Sequence, residues 1–170
     1  MSIIIETERL TLHKLTIDDA EFILELLNDP SWLKNIGDRG VRTLDDARAY
    51  ILNGPVSNYE RIGFGLFLVK LKEQHIPIGI CGLLKRDVLD DYDLGYALLP
   101  RYTGQGFASE AAAGVLRYAK YEAGLARVVA FTLPSNPSSI RVLEKLGMQL
   151  EGTVRLTEDD EICNLYALNL

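Results

Sequence analysis

A mixed α/β fold is predicted: a mostly antiparallel central sheet of about seven strands with helices on both faces. Three observations carry this. The chain has 170 residues, 48% apolar and 25% charged, ordinary for a single soluble domain with a sizeable core. Apolar runs over 62–71, 76–85 and 92–98 follow one another across short polar connections, the pattern of an antiparallel meander. Residues 92–133 then read as strand, glycine-bracketed turn, helix and strand. That is a βαβ unit whose strands should lie parallel with a right-handed crossover.

In chain order, Glu8 to Leu15 alternates apolar and polar residues as a half-buried strand does. Thr16 is a good N-cap, Asp18 and Asp19 suit a first turn, and Phe22, Ile23, Leu26 and Leu27 share one face before Asn28-Asp29-Pro30 stops the helix. Thr43-Leu44-Asp45-Asp46 repeats the start signal for a short helix with Ala47, Tyr50 and Ile51 on one face, ending at Asn53-Gly54-Pro55. Between them 31–42 reads as a loop, in which Trp32 is either an acceptor-pocket wall or a hydrophobic plug. Lys72-Glu73-Gln74-His75 joins two apolar strands as a hairpin, and Pro77 is tolerated near a strand start. A helix from Gly104 to about Glu122 has Ala111, Ala112, Val115, Leu116 and Ala119 on one side and Gly124 as its C-cap. Ala126 to Leu133 has the character of a buried strand. A helix follows through Leu146, stopped by Gly147, and 148–156 and 162–170 close the chain as antiparallel strands. Nothing divides residues 1–170, so a single domain is expected.

Composition narrows the function. A formal net charge of −6 argues against nucleic acid, whose backbone demands a basic face, and suits a cationic acceptor. The apolar runs are too short to span a bilayer, and Met1 to Glu6 lacks the basic start of a signal peptide. A cytoplasmic protein without membrane partners is therefore expected. Cys81 and Cys163 sit in apolar strand patterns and read as reduced structural thiols, and His13 and His75 share no metal spacing, so no metal is expected.

The chemistry concentrates where the strand ending Leu98-Leu99 runs through Pro100-Arg101-Tyr102-Thr103-Gly104-Gln105-Gly106 into Phe107-Ala108-Ser109-Glu110. Glycines at 104 and 106 let successive amides point one way, and such a nest at a helix start attracts phosphate. A glycine that only permits the turn explains the same pair. The dinucleotide fingerprint fits poorly, because Ser109 stands where its third glycine belongs and no acidic residue lies about 20 residues on. An anion here would need local cations, for which Arg101, Arg141 and Lys145 are candidates. Asn136 is an N-cap with Pro137 at the first helical position, and a capping Asn at a strand end can also bond a ligand amide.

The pattern Arg101-x-x-Gly104-x-Gly106-x-Ala108 resembles the cofactor signature of the GNAT acetyltransferases. With Glu6-Thr7-Glu8-Arg9-Leu10, Leu94-Gly95-Tyr96 and Asn136 to Gly147, nearly the whole chain is similar to the branch containing the Rim-type ribosomal-protein N-terminal acetyltransferases. The resemblance implies acetyl-CoA as co-substrate. Backbone groups near Leu98 and Leu99 would hold its pantetheine arm, the amides of Thr103, Gly104, Gln105, Gly106, Phe107 and Ala108 its diphosphate, and Asn136 and Ser139 would bind it from the neighbouring strand. It also implies that the fourth and fifth long strands splay apart.

The implied reaction is direct attack of an amine on the thioester, which needs a neutral amine and a proton for the leaving thiolate. Many relatives carry a tyrosine seven residues after the strand-end asparagine. Here that position is Leu143, which leaves the acid unassigned and keeps open a non-catalytic acyl-CoA-binding or regulatory module. Tyr96 and Tyr102 are nearby in sequence and read as structural. Asp93 is the candidate general base, since it alternates away from Tyr92, Leu94 and Tyr96, against the reading of a solvated strand carboxylate. At pH 7 freeing a peptide α-amine costs about 1.2 kcal/mol and freeing an ordinary lysine roughly 4.6. The expected acceptor is thus a low-pKa amine, a small molecule or a protein N-terminus, gathered by Asp87, Asp90, Asp91 and Glu158 to Glu161. Monomer and homodimer are both compatible with the sequence.

Overall fold

Capping chemistry within four residues decides where the first helices begin. In the computed structural model, which describes residues 2–170, Thr16 and Asp19 form a reciprocal capping box that opens one tight turn, Ile17–Asp19, leading into α1 (Ala20–Leu27). Thr43 and Asp46 do the same for α3 (Leu44–Ile51). Two stop signals behave otherwise. Asn28-Asp29-Pro30 ends α1 but immediately starts α2 (Pro30–Asn35), because Asp29 accepts the Ser31 N–H and Pro30 takes the first position, where a missing N–H costs nothing. The loop expected over 31–42 therefore shrinks to 36–42, and Trp32 is the hydrophobic plug, packed into the core. Nor does Asn53-Gly54-Pro55 end α3. One widened turn, Leu52–Val56, gives the proline ring the room an α-turn denies it, and the chain runs on as α4 (Ser57–Ile62) to Gly63 at φ 88°. The strand expected from Ile62 accordingly begins at Leu66.

Eight strands form one sheet: β1 (Ile5–Glu6), β2 (Leu10–Lys14), β3 (Leu66–Leu71), β4 (Pro77–Leu84), β5 (Asp93–Leu98), β6 (Arg127–Thr132), β7 (Gln149–Val154) and β8 (Cys163–Asn169). Their order is β1-β2-β3-β4-β5-β6-β8-β7, antiparallel throughout except for β5 with β6. The strand beyond the expected seven is β1, too short to register as a pattern. Along β3, Phe67 and Val69 enter a core under α5 (Phe107–Tyr121), while Leu66 and Leu68 enter a second core under α1 to α3. A strand covered on both faces reads as one continuous apolar run, as β3 does.

The half-buried strand expected over 8–15 is also covered on both faces: Leu10, Thr11, Leu12 and His13 are all buried. The two polar members satisfy each other, with Thr11 Oγ1 2.9 Å from His13 Nε2, and His13 Nδ1 lies 3.2 Å from the Ser2 carbonyl. Where β4 crosses its neighbour, a Cβ on Gly82 would stand 2.0 Å from the Gly65 carbonyl oxygen. Gly82→Ala is therefore expected to destabilise the fold by about 1–3 kcal/mol through overpacking, read as a lower thermal midpoint.

Two features position the site. The parallel strands β5 and β6 share a single register pair, Asp93 with Val129, closed by the Val129 N–H on the Tyr92 carbonyl at 3.0 Å. Beyond it they part, while β6 stays paired along its length with β8. Behind the gap, α5 buries Ala111, Ala112, Gly114 and Val115, side chains small enough to lay the helix close on the sheet. Its end is closed by Gly124 at φ 69° and the Leu125 N–H on the Ala119 carbonyl. The last helix, α6 (Pro137–Lys145), follows β6. Among the described residues no helix is long and apolar enough to cross a membrane.

Candidate active site

Hydrogen-bond parity along β5 determines which backbone groups face the gap. The Leu99 N–H donates to the Ile78 carbonyl at 2.9 Å on the β4 side, whereas the Tyr92 carbonyl serves β6. Neighbouring residues of a strand address opposite partners, so the backbone groups of Tyr96 and Leu98 point where β6 has departed. Leu98 is thus available to an extended ligand. Leu99 is not, since its N–H is taken by Ile78 and its carbonyl by the Tyr102 N–H at 3.0 Å.

At the C-terminal end of β5 the chain makes a tight turn, Pro100–Tyr102, with Thr103 donating through its hydroxyl to the Pro100 carbonyl at 2.7 Å. Gly104 and Gly106 follow at φ 76° and 84°, and Gly106 is the N-cap of α5. The first bond of that helix runs from the Glu110 N–H to the Gly106 carbonyl at 3.1 Å. Among the described residues the amides of Gly104, Gln105 and Gly106 have no acceptor, and those of Phe107 and Ala108 open a helix whose first turn leaves N–H groups unused. This is an anion-binding geometry, with the positive end of a 15-residue helix behind it.

Of the cations expected here, Arg101 is the middle residue of the tight turn and pairs with Glu25 at 3.2 Å, while Arg141 and Lys145 lie on α6. The cation seated on the turn is Arg9, which sequence reasoning missed. Its NH1 donates to the Gln105 carbonyl at 3.0 Å and its Nε to Glu110 Oε1 at 2.7 Å, and the guanidinium carbon stands 4.3 Å from the centre of the Phe107 ring. The segment Glu6 to Leu10 and the residue Glu110 were both visible as motif pieces, but nothing in either names the other.

Across the gap, Asn136 caps α6 by accepting the Ser139 N–H at 3.3 Å. Ser139 also reaches β5, its Oγ standing 2.7 Å from the Tyr96 hydroxyl. Desolvation pushes the Tyr96 phenol up to about 12, so it keeps its proton at neutral pH. Leu143 is buried in the core and offers no protic group.

Asp93 lies at the other end of β5, about 16 Å from Leu98 at the usual rise per residue. It is 1% exposed, which overturns the reading of a solvated strand carboxylate. Arg86 Nε lies 3.4 Å from both of its oxygens, and the Arg86 guanidinium covers the Phe131 ring at 5.0 Å. Burial raises the Asp93 pKa to about 6, with Arg86 holding it from going higher. Leu94, Tyr96 and Leu98 face the core under α5, whereas Ala97 and Leu99 face the other, so alternation puts Asp93 on the opposite side of the sheet from Tyr96. Of the acidic residues expected around it, Asp91 is engaged by Arg127 at 3.0 Å.

The chain that carries this strand is similar to known proteins over most of its length. The model of the acetyltransferase (GNAT) domain matches residues 9–149. The uncharacterized N-acetyltransferase YnaD of Bacillus subtilis is 33% identical over 148 residues, covering 87% of this chain and 84% of its own. Among solved structures, a GNAT-family acetyltransferase from Bacillus anthracis superposes with a TM-score of 0.79 at 30% identity, over 97% of each chain. RimL, a ribosomal L7/L12 alpha-N-protein acetyltransferase solved with coenzyme A, has the same fold, with a TM-score of 0.83 at 20% identity over 99% of this chain and 98% of its own.

Proposed function

The chain belongs to the GNAT acetyltransferase family, and from that premise we propose that it acetylates a low-pKa amine, a protein N-terminal α-amine being the acceptor class, with Asp93 as general base. The family activity is transfer of an acetyl group from acetyl-CoA to an amine, which makes the chain an acetyl-CoA-dependent N-acetyltransferase. The residues fit that donor: free amides and a helix start for a diphosphate, and the open edge of β5 for an extended arm. When bound it supplies an activated acyl group, and the chain's own residues do the rest.

The amides of Gly104 to Ala108 hold the phosphates, with Arg101 contributing charge at the turn; the Thr103 N–H, expected among them, is instead taken by the Pro100 carbonyl at 3.1 Å. Leu98 offers its backbone to the arm, and Asn136 and Ser139 line the α6 side. Asp93, with a pKa near 6, is ionised at neutral pH and can take the proton of the acceptor's ammonium, leaving the neutral amine that attacks the thioester. Tyr96, held by Ser139 on the opposite face, keeps its phenol proton and is the candidate to return a proton to the leaving thiolate, which Leu143 cannot do.

One observation carries the choice of acceptor: among the described residues Asp93 is the one carboxyl whose pKa is strongly raised, and at about 6 it is a base of modest strength. Such a base suits an α-amine, which at pH 7 is freed for about 1.2 kcal/mol, better than a lysine at roughly 4.6. That RimL acts on an alpha-amine supports the same choice. The test is a panel of peptides with free α-amines against the same peptides blocked at the N-terminus and carrying a lysine, followed by release of free CoA. Turnover of the free α-amines should exceed that of the lysines by about 10²-fold, from basicity alone. Equal rates, or faster lysines, would reject the acceptor assignment.

A further inference from the structure

Arg9 is joined to the turn by contacts that span the length of the domain: 96 residues separate it from Gln105 and 101 from Glu110. Besides the two side-chain bonds, the Arg9 backbone N–H donates to Glu110 Oε2 at 2.8 Å, and that oxygen also takes the Thr7 hydroxyl at 2.5 Å. Arg9 NH2 stands where a Cβ on Gly106 would come within 3.2 Å of it. Glycine at 106 thus serves two ends, the positive φ and the approach of the guanidinium.

This grip has a directional consequence. A peptide unit is planar and trans, so its C=O and N–H point opposite ways. Holding the Gln105 carbonyl toward Arg9 therefore turns the Gly106 N–H to the other side of the turn, where it has no partner in the protein. Charge adds a second effect. Glu110 sits in the first turn of α5, and a lone carboxylate there would oppose an incoming anion; Arg9 neutralises it.

We infer that Arg9 is a positioning residue for the diphosphate of the acetyl donor: it aims the Gly106 amide and cancels the Glu110 charge. The inference rests on reading residues 103–108 as the diphosphate turn. Arg suits the task because its rigid fork addresses the Gln105 carbonyl and Glu110 at once, which a lysine cannot do.

The test compares acetyl-CoA with acetyl-pantetheine, which carries the same thioester and no diphosphate, in the wild type, Arg9→Met and Arg9→Lys. The wild type should prefer acetyl-CoA. Arg9→Met should lower kcat/KM for acetyl-CoA by about 10–100-fold, the range expected when a binding group is misaimed, mainly through KM, and leave acetyl-pantetheine within about twofold. Arg9→Lys, which keeps the charge and most of the packing, should fall between and remains informative if the Met variant folds poorly. Equal losses on both donors would assign Arg9 a structural role only, and wild-type kcat/KM for acetyl-CoA in Arg9→Met would also overturn the inference. A wild type that does not distinguish the two donors would refute the diphosphate turn itself, a failure separate from that of Arg9.

Discussion

Gly104→Asp is expected to abolish useful binding of acetyl-CoA, raising Kd by about 10²–10³-fold. At Gly104 nothing lies within 4 Å of where a Cβ would be, so the side chain itself meets no obstacle. Its φ of 76° costs about 1–2 kcal/mol in a residue with a Cβ, and Asp is among those that tolerate it best. The rest is electrostatic. A carboxylate beside the free amides of Gln105 and Gly106 occupies donors meant for phosphate and repels it, and like-charge contacts cost several kcal/mol. Gly104→Ala separates the two effects, since it carries the backbone strain alone and should weaken binding about tenfold or less. Titration calorimetry with both variants decides the matter. Unchanged affinity in the Asp variant would remove the phosphate role from the turn.

Asp93→Asn should cut kcat by about 10²–10⁴-fold, the usual worth of a general base, and leave acetyl-CoA affinity unchanged, because Asp93 is at the far end of β5 from the turn. In the wild type, activity should rise with pH through about 6 as Asp93 ionises, and the variant should lack that limb. Stability should move the other way. The folded-state pKa lies above the ordinary value of 3.8, so the folded protein holds this proton more tightly than the unfolded chain. The stabilising contribution of Asp93 is thus fully present below pH 4 and is lost as pH rises through 6. At pH 7 the buried charge costs on the order of 2–3 kcal/mol, from about two pKa units. Asp93→Asn removes that cost. The variant should therefore melt several degrees above the wild type at pH 7.5, with the gap closing at pH 4. A variant with a wild-type pH–rate profile would acquit Asp93 of catalysis, whatever its stability.

Features whose cause lies within a few residues were legible from sequence. Both capping boxes, the glycines of the turn and the Asn136 cap are local chemistry, and each appears where its residues stand. Proline is the weak point, since in sequence Pro30 and Pro55 both look like helix terminators. Pro30 begins a helix and Pro55 sits inside one, and only the surrounding fold decides between stopping, starting and being accommodated. Depth was equally hidden. Alternation gives the side of the sheet for Asp93, but its burial involves Arg86, which reaches it from outside β5 and lies over Phe131. The difference between Leu98 and Leu99 follows from strand pairing, which no single stretch encodes. Arg9 was out of reach for the same reason, because a pair of opposite charges 101 residues apart looks in sequence like two unrelated surface residues.

Asp93 and Tyr96 leave β5 on opposite faces, Asp93 at the pair that still joins β5 to β6 and Tyr96 where the two strands have parted. On the proposed roles of these two residues the donor and the acceptor would be handled from different faces of the sheet and need not take turns. The acetyl group would then cross in a single hop without being parked on the enzyme. A protein built this way needs no nucleophile of its own, which accords with Cys81, the one thiol on the strand beside β5, being sealed in the core with burial holding it protonated.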